Sequence, residues 1–304
     1  MTIPFDKTIE TDYGAVRQLS PLVRRVGAKN PGPFTFTGTG TYIIGQGDVA
    51  VIDPGPRDEA HIGALLAALE GETVRHILIT HTHLDHSPGA ALLQAETGAP
   101  TYGFGPHGSG APDGVVVEEG GDMDFVPDQV LGDGDRVTGG DWSLEAVHTP
   151  GHTSNHLCFA MAEEAALFTG DHVMGWSTTI VSPPDGDMAA YRGSLAKLLE
   201  RDEQIYYPTH GVAMHEPKAL VSGLIAHRVN REAQIMNCLV AGQATISEMV
   251  PVIYADIDSR LHPAAARSVL AHLIHMVGSS QVRCEGLPDI GTRYELSGQA
   301  VGST

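Results

Sequence analysis

Thr80-His81-Thr82-His83-Leu84-Asp85-His86-Ser87-Pro88-Gly89 decides how the rest of the chain is read. Ahead of it, Val74 to Ile79 is a short apolar run rich in branched residues, which predicts a buried strand. Behind it, Gly89-Ala-Ala-Leu-Leu-Gln-Ala-Glu96 predicts a helix. Three histidines and an aspartate thus sit on the turn leaving a strand's C-terminal end, where α/β folds place their chemistry. On an extended segment His81 and His83 project to the same side, because side chains alternate with period two. The turn that follows lets Asp85 and His86 face back toward the same volume. Four donor side chains within six residues suit two cations about 3.5–4 Å apart better than one.

The same pattern recurs downstream. Leu144 to His148 predicts a strand and runs into Thr149-Pro-Gly-His152-Thr-Ser-Asn-His156. His152 is a candidate ligand directly after that strand, while His156 opens the next one and reads as support or packing. Ala165-Ala-Leu-Phe-Thr-Gly-Asp171-His172 is another apolar strand ending in a glycine and an acid. Asp171 is placed to bridge two metals; His172 beside it reads either as a proton-transfer group or as a packed histidine. A predicted helix from about Met188 to Arg201 leads to Gln204-Ile-Tyr-Tyr-Pro-Thr-His210-Gly211, a short strand with a terminal histidine.

Upstream, Thr39-Gly-Thr-Tyr-Ile-Ile-Gly and Asp48-Val-Ala-Val-Ile-Asp53 predict a hairpin turning at Gln46-Gly47, followed by a helix over about 58–70. Asp53 reads as a ligand or as a carboxylate supporting the metal loop. Between Pro100 and Val137 the chain is rich in Gly, Pro and acids. Phe104, His107 and Phe125 there either line a substrate entrance or belong to a solvated loop.

Composition narrows the function. The 304 residues suffice for one large α/β domain and a small one. No apolar run approaches eighteen residues and no basic-then-apolar leader opens the chain, so neither a membrane span nor a cleaved signal is expected. Cys158, Cys238 and Cys284 are scattered, as reduced thiols in a cytoplasmic protein would be. The formal charge is −19. Residues 223–304 hold 6 Arg and no Lys against 7 acids, so the other 222 residues carry 12 basic against 30 acidic side chains. A nucleic-acid partner usually meets a basic face, so this balance favours a small-molecule substrate.

Taken together, His81-x-His83-x-Asp85-His86, Pro150-Gly-His152-Thr, Thr169-Gly-Asp171 and Pro208-Thr-His210-Gly resemble the metallo-β-lactamase superfamily over about residues 20–215. That resemblance implies an αββα sandwich with metals at one edge. It implies a first zinc on His81, His83 and His152, a second on Asp85, His86 and His210, and Asp171 bridging. Two Zn2+ are the default, and Fe or Mn can occupy such N/O sites. The bridging Asp171 and the lack of an export signal depart from true metallo-β-lactamases and look closer to the glyoxalase II, ribonuclease and lactamase-beta-like branches.

Residues 223–304 refine the branch. A helix over Leu224–Val240, a capping box at Thr245-Ile-Ser-Glu248, a helix over Pro263–Val277 and a pair of short runs near Gln281 and Thr292 resemble a winged helix. His227-Arg-x-x-Arg-Glu-x-Gln234-Ile resembles the start of the C-terminal domain of lactamase-beta-like proteins, a branch that includes RNA endonucleases and hydrolases. The expected division is a catalytic domain over 1–222 and a winged-helix-like domain over 223–304, the latter packed over the pocket or building a homodimer. The expected function is a dinuclear zinc hydrolase using a metal-bridging hydroxide on a thioester, ester, lactone or lactam, with Asp85 orienting that hydroxide and relaying a proton. The alternatives are a metal-dependent single-stranded RNA endonuclease, a mononuclear iron dioxygenase on the same ligands, and a merely structural site.

Overall fold

The computed structural model describes residues 3–111, 120–256 and 258–298; part of the Gly/Pro-rich stretch after Pro100 lies outside them. Seven strands form the first sheet in sequence order: Val16–Gln18 (β1), Val23–Gly27 (β2), Gly40–Ile44 (β3), Asp48–Ile52 (β4), Thr73–Leu78 (β5), Thr101–Gly103 (β6) and Gln129–Val130 (β7). Five more form the second, in the order β12-β11-β10-β9-β8: Arg136–Thr138 (β8), Ser143–His148 (β9), Leu157–Met161 (β10), Ala166–Gly170 (β11) and Ile205–Pro208 (β12).

The two sheets pack face to face, and the pleat sorts each strand's side chains. Tyr42, Ile44, Ala50 and Ile52 meet Leu157, Phe159, Met161 and Phe168 in the core between the sheets. The intervening Ile43, Val49 and Val51 face outward, onto helices Glu59–Ala68 (α1) and Gly89–Thr97 (α2). On the far side Cys158, Ala160 and Leu167 face helix Met188–Leu199 (α3) and the start of Pro217–Val240 (α4). The architecture is therefore the expected four-layered αββα sandwich.

Parallel pairing sets the position of the site. β4 pairs parallel with β5, and β11 with β12. Parallel neighbours need a crossover, supplied by α1 and α3, so their C-terminal ends share one edge. Both helices start on an aspartate: Asp58 accepts from the Ala60 amide and Asp187 from the Ala190 amide.

α4 differs from expectation. It begins at Pro217, not Leu224, so the boundary drawn between 222 and 223 falls inside a continuous helix. Pro217 sits in the first turn, where its fixed φ and missing amide are tolerated. Leu220, Val221 and Leu224 join the second sheet's outer core, while Ile235 and Cys238 join the C-terminal core. That smaller core is completed by Ile246–Ile253 (α5), His262–Gly278 (α6) and the antiparallel pair Val282–Cys284 (β13) and Tyr294–Leu296 (β14). The capping box opens α5: the Glu248 carboxylate accepts from the Thr245 amide at 3.0 Å. Among the described residues no helix is long and apolar enough to cross a membrane.

Candidate metal centre

Each candidate donor stands where a strand of the sandwich ends. His81 to His86 follow β5, His152 lies in the β9–β10 connection, Asp171 follows β11 and His210 follows β12. Three groups of donor atoms result, His81/His83/His152, His81/His86/Asp171 and Asp85/His86/His210, the atoms of each lying within 4.8 Å of one another. His83 Nδ1 is 3.0 Å from His81 Nε2 and 3.1 Å from His152 Nε2. His210 Nε2 lies 3.1 Å from Asp85 Oδ2 and 3.4 Å from Asp171 Oδ1. Asp171 Oδ2 is 3.6 Å from His86 Nε2 and 3.8 Å from His152 Nε2, so this carboxylate stands between the two halves of the cluster.

Four of the five rings are held with the same polarity, His83 alone turning its Nδ1 inward. His152 Nδ1 donates to the Ile180 carbonyl (2.6 Å), His210 Nδ1 to the Gly38 carbonyl (3.1 Å) and His86 Nδ1 to Asp53 Oδ2 (2.9 Å). His81 Nδ1 donates to Thr80 Oγ1 (3.1 Å), whose own hydroxyl donates to Asp53 Oδ2 (2.7 Å). A proton fixed on Nδ1 leaves the Nε2 lone pair facing the cluster. Asp53 also accepts from the Thr80 amide (2.8 Å) and the Thr209 hydroxyl (3.0 Å), so one buried carboxylate ties the β4, β5 and β12 ends together. It supports the donor loop and contributes no atom to the three donor groups.

Asp171 is positioned from behind. Gly170 adopts φ +50°, and a Cβ there would lie 2.6 Å from His156 Nε2 and 2.8 Å from Thr80 Oγ1. His156 Nδ1 donates to Thr149 Oγ1 (2.9 Å) and its Nε2 accepts the Asp171 amide (3.3 Å), a supporting role.

Electrostatics fit a site built for cations. Burial disfavours charge on His86 and His210, yet the carboxylates of Asp85 and Asp171 outweigh it, holding His86 well above the ordinary imidazole range and raising His210 to about 9. Burial also works against the carboxylates, but His86 and His210 keep both Asp85 and Asp171 below their usual range. His81, by contrast, is pushed well down by burial and by neighbouring imidazoles. His86 Nε2, His210 Nε2 and Asp171 Oδ1 are buried without a hydrogen-bond partner among the described residues. Buried polar atoms normally find partners. Two imidazole nitrogens and a carboxylate oxygen left without hydrogen bonds in one buried cluster are the donor set a divalent cation fits, with release of the Nε2 protons.

Four expected residues lie elsewhere than the cavity. His172 is fully buried beyond Asp171, its ring 4.8 Å from Tyr191 and 5.7 Å from His156, outside the donor groups. Burial lowers it to about 3, and this placement favours packing over proton transfer. Phe104 stacks on His148 at 4.1 Å, and Phe125 is buried against the α1/α2 face of the first sheet; neither lines the cavity that reaches His152. His107 is buried and bonds Thr82 Oγ1 at 2.8 Å.

The opening is made by other residues. A cavity of about 370 Å³ reaches the candidate donor His152 and is walled by Phe34, Ile180 and Ser182, and by the first turns of α6. Sequence reasoning missed Phe34 and Ile180, which carry no donor chemistry. It also missed Thr80 and Thr209, although a repeated Thr-His pair at two strand ends signals them.

Residues 35–210 match the Metallo-beta-lactamase superfamily, and residues 245–287 match the beta-lactamase associated winged helix domain. The chain is 33% identical over 281 residues to a beta-lactamase-like protein 2 homolog of Drosophila melanogaster, covering 88% of this chain and 92% of that one. It is 32% identical over 283 residues to an atrochrysone carboxyl ACP thioesterase of Aspergillus chevalieri, covering 89% and 85%. A beta-lactamase domain protein from Burkholderia ambifaria shares the fold at TM-score 0.77 and 20% identity, over 97% of both chains. With its donor segments inside the matched region and its C-terminal helices inside a second, this chain belongs to the metallo-beta-lactamase superfamily and carries that superfamily's associated winged-helix domain.

Proposed function

We propose that the chain is a dinuclear metal-dependent hydrolase of a small carbonyl substrate, an acyl thioester before an ester, lactone or lactam. The observation that carries this reading is the two donor clusters, His81/His83/His152 and Asp85/His86/His210, joined by a third group of His81, His86 and Asp171. The likeness to proteins named as ACP thioesterases supports the thioester.

His81, His83 and His152 would hold one cation and Asp85, His86 and His210 the other, with Asp171 shared between them. Zinc suits these nitrogen and oxygen donors, and iron or manganese fits them too. When bound, such a pair polarises a carbonyl oxygen and brings the pKa of water near neutrality. The chain's own groups supply the rest. Asp53, Thr80 and the Ile180 and Gly38 carbonyls keep protons on the Nδ1 atoms of His86, His81, His152 and His210, so the donor geometry is set before substrate arrives. Asp85 leaves 26% of its side chain exposed against 9% for Asp171, which makes it the carboxylate better placed to exchange a proton with solvent. Phe34 and Ile180 give that cavity apolar walls, suited to an acyl chain and to excluding water around the scissile bond.

Elemental analysis together with turnover of a thioester, a lactone, a chromogenic lactam and a single-stranded RNA tests the reading. Two zinc ions per chain, with thioester cleavage lost in Asp85→Ala, is the expected result. One iron with oxygen uptake, or cleavage of RNA alone, would overturn it.

A further inference from the structure

The C-terminal domain contributes Pro263, Ala264 and Arg267 to the wall of the cavity that reaches His152. Arg267 is the one charged side chain on that wall besides the ligand histidine. Three other arginines of the domain are engaged: Arg260 pairs with Asp258, Arg283 pairs with Glu295, and Arg231 lies over the Tyr254 ring at 4.1 Å. Among the described residues Arg267 makes no ion pair and no hydrogen bond. A chain of net charge −19 thus presents an uncommitted guanidinium in the cavity that reaches His152.

A guanidinium offers a planar fork of N–H donors that matches a carboxylate or phosphate in two parallel bonds. Phe34 and Ile180 across the cavity offer only apolar surface, and Ser182 a single hydroxyl. We propose that Arg267 is a specificity-determining residue: it binds an anionic group that the substrate carries away from its scissile carbonyl. The winged-helix domain then acts as the part of the pocket that reads charge. This rests on the hydrolase reading of the same site. Two parts of a thioester could bring the anion: a carboxylate at the far end of the acyl group, or a phosphate on the thiol side.

Arg267 is exposed and unpaired, so its replacement leaves the fold intact. Calorimetric titration of the metal-loaded protein with glutarate and with 4′-phosphopantetheine compares the parent with Arg267→Gln and Arg267→Lys. Arg267→Gln is expected to weaken one of the two probes by about 10-fold or more, and Arg267→Lys by less, since lysine keeps the charge without the fork. A loss confined to glutarate assigns the acyl carboxylate; one confined to phosphopantetheine assigns the thiol-side phosphate. Affinities within twofold for both probes, or no measurable binding of either by the parent, overturn the proposal. The kinetic arm uses S-butanoyl-N-acetylcysteamine, its S-glutaryl counterpart and S-butanoyl-4′-phosphopantetheine. In Arg267→Gln, kcat/KM should fall about 10- to 100-fold for one charged thioester and stay within twofold for the neutral one. An equal loss on all three refutes the assignment. A parent that hydrolyses no thioester strikes at the proposed function instead, and the binding arm still decides the role of Arg267.

Discussion

Asp53→Asn isolates the carboxylate that orients half of the metal cluster. The substitution keeps side-chain volume, and asparagine tolerates the left-handed backbone, φ +49°, that Asp53 adopts. What changes is acceptor capacity. Oδ1 takes the Thr80 amide, and Oδ2 takes the Thr80 hydroxyl, the Thr209 hydroxyl and His86 Nδ1. If the new amide turns its NH2 toward Oδ2's partners, His86 Nδ1 must become the acceptor and its proton moves to Nε2, the atom aimed at the cation. If the amide turns the other way, the Thr80 amide faces a donor and is left unsatisfied, costing about 1–3 kcal/mol. Removing one member of a buried, hydrogen-bonded charge pair costs about 3–5 kcal/mol, so the metal-free fold should lose stability on that scale. Loss of an outer partner typically lowers metal affinity about 10- to 100-fold. The larger share should fall on the equivalent held by Asp85, His86 and His210; His81 feels Asp53 only through the Thr80 hydroxyl. Competition with a chromogenic chelator resolves the two equivalents, and urea unfolding of the metal-free protein gives the stability. Two affinities within twofold of the parent, with an unchanged unfolding midpoint, would refute the assignment of Asp53 as the orienting group.

Gly170→Ala should lower both the thermal midpoint and the bound-metal stoichiometry. The left-handed backbone alone costs about 1–2 kcal/mol, and the new methyl displaces His156, which holds the Asp171 amide; a parent-like midpoint would contradict this. Arg228→Met removes the buried guanidinium that donates to the Thr179 carbonyl and lies 5.0 Å from the Tyr191 ring. A loss of about 1–3 kcal/mol is expected from the unpaired carbonyl, with weaker metal binding by His152, whose partner Ile180 is the next residue; retained affinity would uncouple the loop from the site. Acid should weaken the fold through His61, which burial lowers to about 4 despite the Asp58 charge, and through His227, lowered to about 4 by burial and by Arg228 and Arg231. With folded-state values below the unfolded 6.5, the unfolded chain takes up protons that the folded one refuses. Stability is therefore intact above pH 6.5 and declines as pH falls toward 4, by about 1 kcal/mol per unit for the fully buried His61. Urea midpoints from pH 7 to 4.5 check the slope, which should be shallower in His61→Gln.

The donor residues were legible because each is a histidine or aspartate on a Gly- or Pro-marked turn after an apolar run, a purely local signal. Their common edge was legible too, since β4, β5, β11 and β12 alternate with helices and so pair in parallel. What orients the rings was not. The Ile180 and Gly38 carbonyls are 28 and 172 residues from the histidines they fix, and any residue type supplies a carbonyl. Amid Gly, Pro and acids, Phe104 and Phe125 read equally as entrance residues or as part of a solvated loop. Only the assembled sheet shows Phe125 filling the α1/α2 face and Phe104 paired with His148. The first turns of α4 were not legible, because what they pack on is distant in sequence: Gly223 lies against Ile3, whose Cγ1 would be 3.3 Å from an added Cβ.

α4 makes the shape of the pocket a matter of counting. Its 24 residues run unbroken for about 36 Å from the sandwich's outer layer into the C-terminal core. Each residue advances a helix about 1.5 Å and turns it about 100°. One residue inserted after the exposed Asn230 would swing α5 and α6, and Arg267 with them, a quarter-turn around the sandwich without altering a donor atom. Seven would nearly restore the angle while moving the wall outward by about 10 Å. The position of that cavity wall is therefore written partly as helix phase, a quantity that point substitutions leave untouched and a single-codon insertion or deletion resets.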